Sequence, residues 1–293
     1  MICDPSFFGL KKIPKIDLNK ETLELLAEKS MSIGLTVPGV QKKLSLHLSD
    51  DDSGRLTLVG HPAGYILKPQ TQEFEKLPEA EDLVMDIAEI MGAKVAPHGL
   101  IDLNGEKAYI TKRVDRADGK IYAMEDFCQI SGRQVADKYK GSYERCAAII
   151  REHSVLPGFD ISEFFLRLVI CFATGNSDMH LKNFSLIEKE PGSREYVLSP
   201  AYDLLPVNLV MPEDEEETAL TLNGKKSNIH RNDFLRFAET IGLNDRAAVK
   251  LIDSIVSKEK LANSLCDASF LRDEMKSSFK DLLRKRISIL AGE

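Results

Sequence analysis

Apolar and polar positions repeat with one period in the first part of the chain and another in the second. Between Lys43 and Leu48 apolar residues fall at alternate positions, an Asp-Asp-Ser-Gly turn follows at 51–54, and Arg55 to Val59 alternates again, so the pattern predicts a hairpin. A short apolar run, Tyr65-Ile-Leu-Lys68, predicts a further strand. Two more are predicted over 95–103 and 107–114, joined by Asn104-Gly105. Helices are predicted over 19–29, capped by Asn19 with Leu23, Leu25 and Leu26 as its apolar stripe, and over 78–91, ending at Gly92. The residues ahead of the first helix read as a loose arm.

From Met124 onward the spacing changes to a helical period, predicting helices over 124–131, 142–153, 161–174, 231–242, 245–257 and 268–290. The stretch from Gly175 to Asp203 interrupts them with two polar loops around a small hairpin, Phe184–Ile187 and Tyr196–Leu198. The expected class is therefore α+β in two lobes: an arm and helix (1–30), a β-rich lobe (31–116) and a helical lobe (117–293). Polar loops that bracket a hairpin inside a helical lobe are places to look for chemistry.

Composition narrows the classes without choosing among them. Hydrophobic residues are 43% and charged residues 29% of the 293, which is ordinary for a folded chain. A net charge of −7 argues against direct electrostatic binding of nucleic acid, so contact with DNA is expected only through a partner. The five cysteines include no C-x-x-C pair, which suits a reducing cytoplasm better than a disulfide framework or zinc. With no apolar run near the length of a membrane span and no secretory leader pattern, a cytoplasmic chain with no membrane contact is expected. The acidic run Glu213 to Glu217 reads as a solvated loop.

The strongest chemical pattern is Gly175-Asn-Ser-Asp178-Met-His180-Leu-Lys182-Asn183, with Tyr202-Asp203 after the hairpin. Phosphoryl transfer needs a carboxylate to orient the attacking hydroxyl and accept its proton, together with oxygen ligands that hold Mg²⁺ on the phosphates. An Asp followed five residues later by an Asn, with a second Asp beyond a hairpin, is the kinase spacing. Asp178 fits the base, and Asn183 and Asp203 fit the metal ligands. His180 either orients the loop or meets the phosphates, and Lys182 is either a cation for the transferring group or a surface charge. The same chemistry asks for a cation from a strand on the ATP phosphates, paired with a helical carboxylate; Lys68 ends a strand, and Glu81 in the next helix is the chosen partner. No G-x-G-x-x-G or Walker A stretch is present, and Thr36-Val-Pro-Gly39-Val-Gln-Lys42-Lys43 is the candidate phosphate loop.

Taken in order, that loop, Tyr65-Ile-Leu-Lys68-Pro, Thr111-Lys-Arg-Val-Asp-Arg116, Glu125-Asp-Phe-Cys-Gln129, Lys138-Tyr139, the Gly175 to Phe184 block and Ser199-Pro-Ala-Tyr-Asp203 resemble the motifs of the HipA-like serine/threonine kinases, toxins of bacterial toxin–antitoxin modules. The resemblance implies a two-lobed, protein-kinase-like fold related to phosphoinositide kinases. It implies Asp178 as base, Asn183 and Asp203 on Mg²⁺, and Lys68 on ATP. It also implies nucleotide contacts from the loop residues Val37, Gly39, Val40 and Gln41, and a hinge from Lys112 to Val114 that meets adenine through its backbone. The short stretch before the loop is similar to HipT, the short form whose missing N-terminal subdomain is a separate small protein, HipS. Thr36 stands at the family's autophosphorylation position, with Ser32 nearby; phosphate there implies expulsion of the loop and inactivation.

The function expected from the resemblance is an ATP- and Mg²⁺-dependent serine/threonine kinase of a HipBST-like module. Its substrate would be an aminoacyl-tRNA synthetase, and its partners a HipS-like protein and a HipB-like helix-turn-helix antitoxin that carries the DNA contact. A small-molecule or lipid kinase and a non-catalytic pseudokinase binding module are the alternatives.

Overall fold

The computed structural model describes residues 2–16, 43–48, 55–57, 64–117 and 119–292. The predicted helix over 19–29 and the loop residues Ser32, Thr36, Val37, Gly39, Val40 and Gln41 lie outside the described residues. The chain divides into two compact units, Met1–Asp82 with Ala96–Gly119, and Leu83–Val95 with Lys120–Glu293. Residues 83–95 belong with the second unit in this division.

The first unit is built on a six-stranded sheet in the order β1-β3-β2-β4-β6-β5. Its strands are β1 (Lys15–Ile16), β2 (Leu44–Leu48), β3 (Arg55–Thr57), β4 (Tyr65–Lys68), β5 (His98–Leu103) and β6 (Glu106–Lys112). Alternation in β2 puts Leu44 and Leu46 inside, where they join Leu56, Leu67, Ile101, Ala108 and Ile110 in one core. The β5–β6 hairpin turns on Asn104 and Gly105, with φ of +53° and +87°. Both central residues are left-handed, the twist that a two-residue hairpin requires and the reason Asn-Gly is favoured there. The arm is not loose: Asp4 caps a 3₁₀ turn at Pro5–Phe8, Cys3 donates its backbone N–H to Leu100, and β1 pairs in parallel with β3. Phe8 then packs on Tyr65, which is the burial that holds so short a segment in place.

Helix α1 (Leu77–Ile90) contributes to both units. In the second unit follow strand β7 (Met124–Asp126), the one-turn helix α2 (Phe127–Ile130), α3 (Tyr143–His153), α4 (Pro157–Thr174), strands β8 (Ser185–Glu188) and β9 (Tyr196–Leu198), and helices α5 (Val207–Val210), α6 (Arg231–Thr240), α7 (Asp245–Ser257), α8 (Glu259–Ala268) and α9 (Asp273–Ala291). Pro157 opens α4 at a position where its missing N–H costs nothing. The helix is buried on nearly every face, as its continuous apolar run demands. Phe164, Phe165 and Phe172 of α4 meet Phe184, Phe234 and Phe237 edge-on or stacked, forming the aromatic centre of this unit.

Three expectations are corrected. Residues 124–131 are a strand and then one helical turn, because β7 pairs antiparallel with β8 and makes the small hairpin a three-stranded sheet. The predicted helix over 268–290 starts at Asp273, and a helix that the spacing did not predict, α8 (Glu259–Ala268), follows α7 directly through Lys258. The acidic run is not merely solvated: Asp214 accepts from Ser177 Oγ at 2.6 Å, Glu216 pairs with Lys226, and Glu217 pairs with Arg286, whose guanidinium lies over the Phe172 ring.

Candidate active site

The loop that follows α4 is positioned by the way the helix ends. Gly175 adopts φ +70°, and two backbone bonds, Gly175 N–H to Phe172 O and Asn176 N–H to Cys171 O, close the last turn. A Cβ on Gly175 would stand 2.5 Å from Leu282 Cδ2 and 3.4 Å from Asn208 Cβ. Gly175→Ala therefore combines left-handed strain with a collision, and about 1–3 kcal/mol of stability should be lost. A urea-unfolding midpoint that does not fall would contradict this account of the turn.

Beyond the glycine, the loop is tied to itself and to its neighbours. Asn176 Oδ1 accepts from the Asp178 backbone N–H at 3.1 Å, and Asp178 O accepts from both the His180 N–H and Asn183 Nδ2, each at 2.8 Å. The last of these bonds uses the amide nitrogen of Asn183 and leaves its oxygen as the atom able to ligate a cation. Tyr139 donates its hydroxyl to Asp178 Oδ1 at 2.6 Å and sets its ring edge-on to His180 at 5.0 Å. Burial, and then the carboxylate it touches, hold the Tyr139 phenol well above its ordinary range. Burial pushes His180 down to about 4, against the opposing pull of Asp178, so its ring is neutral at physiological pH. A neutral, buried His180 adds no cation to the loop.

Lys182 is committed to Asp126, Nζ to Oδ2 at 2.7 Å. Asp126 does two jobs: its Oδ1 accepts from the Gln129 N–H at 2.8 Å, and Gln129 Oε1 in return accepts from the Asp126 N–H at 3.0 Å, a reciprocal cap on α2. The Lys182 carbonyl accepts from the Tyr202 hydroxyl at 3.0 Å, which fastens the loop to the segment carrying Asp203. Asp203 has φ +56°, a left-handed backbone that non-glycine residues adopt rarely and mostly as Asp or Asn. The Tyr202 bond to Lys182 O keeps the adjoining Asp203 beside the loop in which Asn183 holds the Asp178 carbonyl, and its charge reaches His180. An amide oxygen and a carboxylate are the hard oxygen donors that Mg²⁺ takes, with water and phosphate completing its shell, so these residues fit that ion.

In the first unit, Lys68 and Glu81 form a buried ion pair, with side chains 3% and 1% exposed, and Lys68 Nζ lies 5.2 Å from the Tyr109 ring centroid. The Lys112 ammonium sits over the Phe7 ring, and its backbone N–H donates to Pro97 O. Val114 is half-buried in a turn where Arg113 grips Asp115 through Nε and a terminal nitrogen, at 3.0 and 2.7 Å.

Three residues outside the loop that were given no individual role act on it: Tyr139, Asp126 and Asp214. Asp126 carried a legible signal, since D-x-x-Q ahead of an apolar pair is a cap pattern. Tyr139 lies 39 residues from Asp178 and carried none beyond its place in the motif.

The family model for the HipA-like C-terminal domain matches residues 35–262. The chain belongs to that family. Among curated proteins it is similar to a Haemophilus influenzae protein named "Putative kinase", 28% identical over 88% of this chain and 82% of the relative. It is also similar to two from Sinorhizobium fredii, "Putative kinase Y4dM" (36% identical, 66% of this chain, 49% of the relative) and "Putative kinase Y4mE" (30% identical, 81% of this chain, 58% of the relative). The HipA-like chain thus spans about half the length of the Sinorhizobium relatives. Among solved structures, HipA of Shewanella oneidensis, determined with HipB and operator DNA, superposes with a TM-score of 0.76 at 19% identity, over 88% of this chain and 65% of that one. The Helicobacter pylori proinflammatory kinase CtkA gives 0.58 at 18% identity, over 80% and 91%. Both share the mixed α+β, kinase-like fold. Among the described residues no helix is long and apolar enough to cross a membrane.

Proposed function

We propose that the HipA-like chain is an ATP- and Mg²⁺-dependent serine/threonine kinase and the toxin of a HipBST-like module. The observation that carries the reading is the Asp178 loop: a half-exposed carboxylate braced by a phenol, with the Asn183 amide oxygen and Asp203 in the same neighbourhood. In this reading Asp178 orients the acceptor hydroxyl and takes its proton, and Asn183 and Asp203 hold the ion, which neutralises charge on the ATP phosphates. Lys68, kept in place by Glu81, meets the phosphates. Val37, Gly39, Val40 and Gln41 cover them, and the backbone at Lys112 and Val114 receives adenine. The ion pair with Asp126 keeps the Lys182 ammonium beside the loop, where it offsets charge on the transferring group.

Partners follow the same reading. A HipB-like antitoxin is supported by the HipB present in the Shewanella complex, and the net charge of −7 suits a chain that meets DNA only through that partner. A HipS-like protein, an aminoacyl-tRNA synthetase as substrate, a cytoplasmic site of action and self-phosphorylation at Thr36 or Ser32 complete it. The test is phosphopeptide mapping of the purified chain, alone and with each purified synthetase, after ATP and Mg²⁺. Phosphate on Thr36 or Ser32 and on one synthetase is expected. A chain that binds ATP yet places phosphate on no protein would instead be a small-molecule kinase or a binding module.

A further inference from the structure

Asp178 presents two carboxylate oxygens, and the structure uses them unequally. Oδ1 accepts the Tyr139 hydroxyl at 2.6 Å, whereas Oδ2 has no hydrogen-bond partner among the described residues. The backbone of Asp178 is hydrogen-bonded on both sides, its N–H to Asn176 Oδ1 and its carbonyl to the His180 N–H and Asn183 Nδ2. What these bonds leave free is rotation of the carboxylate itself, and among the described residues the phenol is its one hydrogen-bond partner.

Tyr139 is well placed to do so. Its ring meets the edge of His180 at 5.0 Å, its own residue neighbour Lys138 caps the ring face at 4.9 Å, and the Lys138 carbonyl accepts the Leu181 N–H at 3.2 Å. The segment carrying the phenol is therefore bonded to the loop carrying the carboxylate at three points: backbone, ring and hydroxyl. A hydroxyl that merely lay over the carboxylate would need none of the other two.

We infer that Tyr139 is a positioning residue for phosphoryl transfer: it pins Asp178 through Oδ1 and so aims Oδ2 at the acceptor hydroxyl. The inference rests on the kinase reading of Asp178. It adds that the orientation of the base is set by a residue outside its own loop. A freely turning carboxylate would spend part of its time with neither oxygen on the reacting hydroxyl, and in positioned catalysis small misplacements are costly. Since the phenol touches neither nucleotide nor ion in this assignment, its removal should lower turnover and leave ATP binding alone.

The experiment is a double-mutant cycle on the full chain with Tyr139→Phe, Asp178→Asn and both together. It reads ADP release at saturating Mg²⁺-ATP and the ATP concentration at half-saturation. Phenylalanine keeps the ring against His180 and Lys138, so unfolding midpoints should match the wild type. Loss of one hydrogen bond to a charged group predicts turnover reduced about ten- to a hundredfold, with half-saturation changed less than about twofold. In the Asp178→Asn background the same change should cost nothing further, since the two residues act as one unit. Full turnover in Tyr139→Phe, or an equal further loss in the double variant, overturns the positioning role while the kinase reading stands. A rise in turnover also overturns it, because it would make the phenol a plug in the acceptor's place. No turnover in the wild type, or full turnover in Asp178→Asn, overturns the kinase reading and this inference with it.

Discussion

Asp178→Asn is expected to lower phosphoryl transfer by about 10²–10⁴-fold, the range that a positioned general base contributes. The substitution keeps the shape of the side chain and an oxygen that can accept the Tyr139 hydroxyl, so the backbone bonds of this residue, its N–H to Asn176 and its carbonyl from His180 and Asn183, need not change. What disappears is the ability to take a proton from the attacking hydroxyl. The variant should therefore unfold at the wild-type denaturant concentration, bind ATP with unchanged affinity and leave the acceptor unmodified. In cells the same variant should be harmless where the wild type arrests growth. Growth arrest that survives the substitution would mean that toxicity, if present, does not come from phosphoryl transfer at this carboxylate.

The second large effect is on stability and involves Lys68. Two opposite charges buried to within a few per cent of complete exclusion from water are tolerable as a pair. Removing one member of such a pair costs about 3–5 kcal/mol, because the remaining charge has lost the partner that offset its desolvation. Lys68→Met is thus expected to lower the urea-unfolding midpoint sharply, independently of any nucleotide. Lys68→Met combined with Glu81→Leu should recover much of that loss, since an apolar pair of similar size replaces a buried ion pair at little or no net cost. A double variant no more stable than Lys68→Met would show that the carboxylate was not the source of the penalty. Both variants should lose ATP affinity, so stability and binding separate: the second substitution restores one and not the other.

The sequence carried the parts of this arrangement that depend on short spacing. Asp178, Asn183 and Asp203 stand out because their spacing matches a kinase pattern, and Asn104-Gly105 marks its hairpin because few dipeptides accept that backbone. The parts that stayed hidden depend on long-range contact or on weak patterning. Met124 to Ser131 has the apolar spacing of a helix, yet pairing with β8 makes its first three residues a strand, a tertiary effect that no local pattern reports. Helix α8 buries Ala262 and Cys266 in a mostly polar stretch, a stripe too thin for periodicity to report. Lys182 looked like a choice between a surface cation and a phosphate ligand because its partner, Asp126, is 56 residues away.

That partner has a consequence for how freely this chain can vary. At position 126 one side chain both starts a helix and supplies the counter-charge for a lysine in the loop. Asparagine would keep the cap and forfeit the charge; glutamate would keep the charge and reach too far to cap well. In a saturation library scored separately for abundance and for activity, most positions of α2 should move one score or the other. Position 126 should move both at once and accept almost no replacement, so drift at this site is blocked twice over.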